Sequence, residues 1–353
     1  MKKFNNSITT PIPVLNVLGG LRHGTITELF GPSKSGKSTV AYQMLHMGME
    51  AYPDGKYIVL DSENALDELR LEHAFGIDCS KLDIKTFPTL EDNFKYMIDQ
   101  LKSLEPDQHC IIVWDTIAEC STELQSSKQD SYAGGRQEEA RVIKFWSKQL
   151  VAVLHDKKAH VVVLNQVYHG EHGAYVSGGG EAFKHNCHYT FKFKIEKVYY
   201  DEYNTATATF SRVTTDKSRF FPAIKDIPLW IDSSLGGVID YERSLILAGV
   251  EYGLVQKSKN GYYWIGAPKS ELSDEEYGRI KKYLAADFQN QKELMLELED
   301  EFEKFFRKRY RLIDLMYSTY EVFDVIPRKK GNIEEDTVVD DAEVHSEDEV
   351  IDE

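Results

Sequence analysis

Residues 25 to 39 read TITELF-GPSKSGKS-T, with the glycine-rich stretch GPSKSGKS at 31 to 38. Thr25 to Phe30 has the composition of a buried strand, GPSKSGKS fits GxxxxGK[ST], and the continuation TVAYQMLHMGMEAY has the composition of a helix. A loop at that junction can turn successive backbone N–H groups and a helix N-terminus toward one anion. Gly31 and Gly36 supply the conformational freedom, Pro32, Ser33, Lys34 and Ser35 form the turn, and Lys37 reaches the outer phosphates. The Ser38 hydroxyl completes a Mg²⁺ shell, and Thr39 ends the phosphate contacts. The expected ligand is ATP with Mg²⁺.

Outward from this stretch, short apolar runs alternate with helical ones. Tyr57 to Asp61 (YIVLD), Cys110 to Asp115 (CIIVWD) and His160 to Asn165 (HVVVLN) are nearly continuous in apolar residues, as strands buried on both faces are. An α/β fold follows, a mostly parallel sheet covered by helices. Asp115 ends its run and would emerge at the carboxyl edge beside the glycine loop, as a Mg²⁺-holding acid or as a cap of the next turn. Glu63, two residues past YIVLD, could orient an attacking water, with Asp61 as a competitor for that role. Thr190 to Lys197 and Thr205 to Val213 alternate with polar residues and predict an antiparallel extension.

The 353 residues are 42% hydrophobic and 28% charged, ordinary for a globular chain with room for one large and one smaller domain. No apolar run has membrane-span length and MKKFNNSITT lacks a signal-peptide core, so a cytoplasmic protein is expected. Cys79, Cys110, Cys120 and Cys187 form no CxxC pair, which predicts packing roles. The formal charge of −16 is concentrated in residues 331 to 353, whose eleven Asp and Glu face no Lys or Arg; without them −5 remains. Global charge therefore does not exclude a nucleic-acid partner. This tail has too little apolar surface to offset its ordering entropy and is expected to be disordered.

Composition shifts at Gly236-Gly237, Asn260-Gly261 predicts a two-residue hairpin, and Ser273 predicts the cap of a helix running through SDEEYGRIKKYLAADF. A charged amphipathic stretch follows, QKELMLELEDEFEKFFRKRYRLIDLMY. The expected organisation is a short N-terminal segment over 1–10, the α/β core over 11–240, a small C-terminal α+β domain over 241–330 and the acidic tail over 331–353.

The order GPSKSGKS, YIVLDSENALD, CIIVWDTIAE and VVVLNQ resembles the RecA-like P-loop ATPase core of the RecA-type recombinases. The later GGG loop and DKSR bring it nearest to the phage UvsX branch. The resemblance covers about residues 10 to 265 and implies roles position by position. Glu63 would activate water, Asp67 lie near the adenine and Gln166 sense the γ-phosphate, a position where UvsX relatives can carry His. Lys217 and Arg219 of DKSR would act in trans on a neighbour's ATP, against a reading as two exposed cations. The segments CSTELQSSKQDSYAGGR (120–136) and VYHGEHGAYVSGGGEAFK (167–184) are long for connections in a compact domain. In the family their positions contact single-stranded DNA. Lys128, Arg136, Arg141 and Lys184 could meet phosphates, Gly178, Gly179 and Gly180 allow close backbone approach, and aromatic residues including Tyr175 and Phe183 could stack on bases.

The same resemblance implies filaments on single-stranded DNA, homologous pairing with duplex DNA, strand exchange, and single-strand-binding and mediator proteins as partners. Two rival readings are a ring-forming helicase and a RecA-like mediator that binds ATP and partners without exchanging strands. The family's N-terminal polymerisation arm has little counterpart here, because the core begins within about ten residues of Met1. Phe4 is the residue there that could anchor on a neighbour.

Overall fold

The computed structural model describes residues 2–127, 135–169, 175–177, 180–234, 236–320 and 322–324. The chain opens with β1 (Lys2–Phe4), β2 (Ser7–Ile8), α1 (Pro13–Val17) and β3 (Leu21–Arg22), which pairs back on β2. The α/β part follows as β4 (Thr25–Gly31), α2 (Lys37–Ala51), β5 (Lys56–Asp61), α3 (Glu68–Phe75), β6 (Leu82–Lys85), α4 (Leu90–Lys102), β7 (Cys110–Asp115), α5 (Glu123–Ser127), α6 (Gly135–Leu154) and β8 (Ala159–His169). It continues through β9 (Tyr175–Ser177), α7 (Gly180–Asn186), β10 (Tyr189–Tyr200), β11 (Ala206–Ser218), β12 (Ile227–Asp232) and β13 (Val238–Ile239).

These strands form one sheet in the order β13-β12-β11-β10-β4-β8-β7-β5-β6, with β9 folded back on β8. From β10 to β6 every pairing is parallel, and β11, β12 and β13 extend the sheet antiparallel. The parallel strands alternate their apolar residues between two covered faces. Leu29, Val59, Val113 and Val162 join the cluster that holds α2 and α3. Ile26, Ile58, Ile112 and Val161 join the one that holds α4 and α6. Both faces being covered explains why these runs carry no polar alternation.

The C-terminal part comprises α8 (Tyr241–Glu251), β14 (Val255–Lys257), β15 (Tyr262–Ile265), α9 (Asp274–Arg279), β16 (Tyr283–Leu284), α10 (Ala285–Asn290), α11 (Lys292–Arg309), α12 (Arg311–Thr319) and β17 (Val322–Asp324). Its buried Leu245, Leu298, Phe302 and Phe306 belong to the same apolar cluster as α2 and α3. β17 pairs antiparallel with β1, so the first described residues lie beside the last, and Phe4 is in register with Val322 of its own chain.

Two local expectations change. The hairpin between β14 and β15 is not a two-residue loop: Gly261 N–H bonds the Ser258 carbonyl and only Gly261 has positive φ, a type I turn followed by a left-handed glycine. The helix capped by Ser273 keeps its capping box with Glu276 but ends at Arg279. Tyr283 and Leu284 are drawn into the sheet opposite Tyr263 and Tyr262, and cross-strand pairing there overrides helix propensity already weakened by Gly278.

Candidate active site

The site lies where the carboxyl ends of β4, β8, β7 and β5 meet. Sheet register assembles it: Gly31 pairs with Gln166 across β4 and β8, and Asp61 pairs with Asp115 across β5 and β7. Residues far apart in the chain are thereby brought to one edge.

The loop from Gly31 to Gly36 is tightly held. At Gly31 a Cβ would come within 2.6 Å of the Phe193 carbonyl oxygen on β10, so the close approach excludes any side chain. Gly36 has φ +99 and faces Ile231, so it combines a left-handed backbone with a filled space. Ser35 is buried and its hydroxyl donates to the Pro32 carbonyl, which fixes the turn. The α2 N-terminus has no side-chain cap, and its first-turn N–H groups keep no intrahelical acceptor. That is an anion-binding arrangement, and a phosphate chain fits it. Lys37 folds back over the loop, its Nζ donating to the carbonyls of Gly31 at 3.0 Å and Pro32 at 2.9 Å. Burial pulls its ammonium below the ordinary value, while Asp115 and Glu63 draw it back up.

Asp115 is 9% exposed at the end of β7. Burial raises its carboxyl above the ordinary value, opposed by hydrogen bonds from Ser38 and Tyr42. The Tyr42 hydroxyl, on the second turn of α2, donates to Asp115 Oδ2 at 3.0 Å. Carboxylate and serine oxygens in contact with each other suit a small hard cation, so Mg²⁺ fits the Asp115–Ser38 pair. Tyr42 escaped the sequence reading: α2 looks like an ordinary apolar helix there, and only the fold sets that hydroxyl against β7.

Asp61 does not compete with Glu63. It is buried, and its two oxygens accept the backbone N–H groups of Ala65 and Leu66, fixing the turn after β5. Glu63 is exposed at the site mouth, where Gln166 Nε2 donates to its Oε1 at 3.0 Å. The same nitrogen donates to Glu119 Oε1 at 3.2 Å, a carboxylate absent from the sequence reading. Asp67 stands as the N-cap of α3, accepting from Arg70 N–H.

The remaining candidates spread out. Lys217, in β11, donates to the carbonyls of Lys184 at 2.6 Å and His185 at 3.0 Å, and Arg219 Nη2 donates to His185 O at 2.9 Å. Both cations thus cap the carbonyl end of α7, where positive charge is favoured. Burial and the neighbouring Arg219 lower the Lys217 ammonium.

Of the DNA candidates, Lys128, Gly178 and Gly179 lie outside the described residues. Arg136 and Gly180 fall in the first turns of α6 and α7, and Tyr175 opens β9. Arg141 is exposed on α6. Phe183 is 0% exposed in the cluster under α6, so base stacking by that ring is corrected to a packing role in this structure. Lys184 is paired with Asp216 at 2.9 Å and lies over the Phe30 ring, so it too is engaged within the chain. The described parts of the two long segments carry regular structure. Ser121 bridges to Thr89 and 123–127 form α5; β9 pairs antiparallel with the outer part of β8, Val167 opposite Ser177.

A glycine loop between a parallel strand and an uncapped helix, with acids on adjacent strands, defines the class of P-loop nucleotide-binding proteins. Within that class, the family model described as RecA N-terminal domain matches residues 7–229. Protein RecA of Ureaplasma parvum serovar 3 is 22% identical over 312 residues, spanning 86% of this chain and 87% of its own. The Recombination and repair protein of Enterobacteria phage T4 is 24% identical over 308 residues, spanning 79% and 71%. Protein RecA of Saccharopolyspora erythraea is 28% identical over 256 residues, spanning 70% of each chain. The chain belongs to the RecA family, the recombinases of DNA recombination and repair.

Proposed function

We propose that this protein is an ATP-dependent recombinase that assembles on single-stranded DNA, pairs it with homologous duplex and exchanges strands, in the cytoplasm of its host cell. The observation that carries the reading is the register that brings Gly31 beside Gln166 and Asp61 beside Asp115 at one sheet edge, in a chain of the RecA family.

In this reading Gly31 to Thr39 hold the phosphates through backbone N–H groups and the α2 N-terminus. Lys37 leaves the carbonyls of Gly31 and Pro32 for the outer phosphates, exchanging two neutral acceptors for charged ones. Ser38 and Asp115 would hold Mg²⁺, which would supply neutralisation of the phosphate charge. Glu63 orients a water and takes its proton. Gln166 senses the γ-phosphate and Asp67 lies near the base. Lys217 and Arg219 exchange the α7 carbonyls for the phosphates of a neighbour's ATP, so full turnover needs assembly. Lys128, Arg136, Arg141, Tyr175, Lys184 and the glycines 178 to 180 face DNA, with Lys184 first leaving Asp216. Residues 241–330 form a small C-terminal domain that packs on the core. Single-strand-binding and mediator proteins would load the filament.

The test is electron microscopy of the protein with single-stranded DNA and a non-hydrolysed ATP analogue. Continuous helical filaments are expected; closed rings would point to a helicase, and the absence of both to a mediator. Alongside it, Glu63→Gln should bind ATP within about threefold of the parent while hydrolysis falls about hundredfold or more, the range of a lost general base.

A further inference from the structure

Gln166 Nε2 carries two N–H donors, and both are used on carboxylates: Glu63 Oε1 at 3.0 Å and Glu119 Oε1 at 3.2 Å. Glu63 follows β5, whereas Glu119 lies in the short 3₁₀ turn Ile117–Glu119 after β7, immediately ahead of the segment over 120–136. Gln166 itself lies in β8, one residue ahead of the segment over 167–184. A single amide group therefore ties the water-orienting acid to the roots of both candidate DNA segments. The two carboxylates share this donor and repel each other, so each is held in place partly by the amide between them.

We infer that Glu119 is a positioning residue that keeps Gln166 withdrawn until nucleotide and DNA are both engaged, and so makes ATP turnover dependent on DNA. This rests on the roles proposed above for Glu63 and Gln166. A γ-phosphate is a third anionic acceptor, and an amide with two N–H groups cannot serve three anions at once. One carboxylate must be released when Gln166 turns to the phosphate. Release of Glu119 frees the 3₁₀ turn and the start of the 120–136 segment; DNA that holds that segment in another position favours the release, and by linkage favours the engaged Gln166. Release of Glu63 leaves that carboxylate available to a water. In DNA-free protein both contacts persist and turnover is low.

The pair of contacts is exposed, so its effect is at the modest end for hydrogen bonds to charged groups. In full-length Glu119→Ala, hydrolysis without DNA should rise about fivefold. The rate at saturating single-stranded DNA and the affinity for a fluorescent ATP analogue should stay within about twofold, and Glu119→Gln, which keeps an acceptor oxygen, should fall between parent and alanine variant. Amide exchange over residues 117–127 supplies a readout independent of turnover. It should stay slow in the DNA-free parent when the analogue alone binds, and be quick already in nucleotide-free, DNA-free Glu119→Ala. An unchanged DNA-free rate with unchanged exchange, or a rise by the same factor with and without DNA, overturns the inference. Full hydrolysis by Glu63→Gln would instead overturn the reading beneath it, whatever Glu119→Ala does.

Discussion

The Tyr42 hydroxyl on Asp115 shows how one buried contact tunes the carboxylate proposed to hold Mg²⁺. Asp115 is taken out of water at the end of β7, and burial favours its protonated form. Tyr42 and Ser38 oppose that by donating to it, which keeps a carboxylate ready for a metal. Burial, with Asp115 beside it, raises the Tyr42 phenol far above the range in which it could ionise, so it remains a donor at any working pH. Tyr42→Phe leaves a buried carboxylate oxygen without its partner, at a cost of about 1 to 3 kcal/mol. Denaturant unfolding of nucleotide-free protein should record that loss, and saturating Mg²⁺ with an ATP analogue should shrink it, because the cation then satisfies the oxygen. An equal loss with and without the metal would mean that Tyr42 only packs. Neither Tyr42 nor Glu119 could be read from the sequence, since each acts across the sheet on a partner more than forty residues away. Lys37, Ser38, Glu63 and Asp115 could be singled out as candidates from the sequence because their positions relative to strand ends suggest the chemistry. Phe183 was misread for the opposite reason: a polar, glycine-rich neighbourhood suggested exposure, and tertiary packing removed it.

At the scale of elements, the β4–β8 pair is the spine of the site, and a polar cluster is buried beneath it. Thr25 is in register with His160, whose Nδ1 lies 2.9 Å from the Thr25 hydroxyl and 3.2 Å from the Arg22 carbonyl, with Nε2 3.0 Å from the Thr27 hydroxyl. The Arg22 carbonyl can only accept, so Nδ1 carries the proton and Nε2 accepts from Thr27. Complete burial lowers the His160 imidazole to about 3, with the Arg22 carbonyl opposing and His188 adding to the shift. A depressed histidine binds its proton more readily in the unfolded chain. Its contribution is therefore intact above the unfolded value near 6.5 and is eroded as pH falls from there toward 3. Between pH 7 and pH 5 this one residue should remove about 2 kcal/mol of stability. Urea unfolding at the two pH values measures it, and an equal stability at both would show that the β4–β8 pair admits the charge. The strand His160 to Asn165 was recognisable from its apolar run, and so was β4. Their adjacency was not, because parallel neighbours separated by some 130 residues leave no local mark. β6 and β12 went unrecognised: β6 is only four residues long and β12 carries a proline, Pro228, at its second position. The antiparallel extension and the early end of α9 divide the same way, strand alternation being visible locally and strand pairing being decided elsewhere in the chain.

For the molecule as a whole, the uneven charge decides how it meets a polyanion. The formal −16 would repel DNA at a distance, yet −5 remains once residues 331 to 353 are set aside. β17 ends at Asp324, in register with Lys2 of β1. Within a Debye length of about 8 Å at physiological salt, eleven carboxylates compete with phosphates for whatever cations they reach. A chain ending at residue 330 should therefore bind duplex DNA more tightly, about three- to tenfold at low ionic strength, and show a steeper fall of affinity with salt, because cations formerly neutralised by the tail now release counterions on binding. At about 1 M salt, where the Debye length shrinks to about 3 Å, the two chains should converge. A fluorescence anisotropy titration of both chains across that salt series distinguishes the outcomes. Parallel lines of log affinity against log salt would mean that the tail acts without occupying DNA-binding cations, and superimposed lines that it does not act on duplex binding at all.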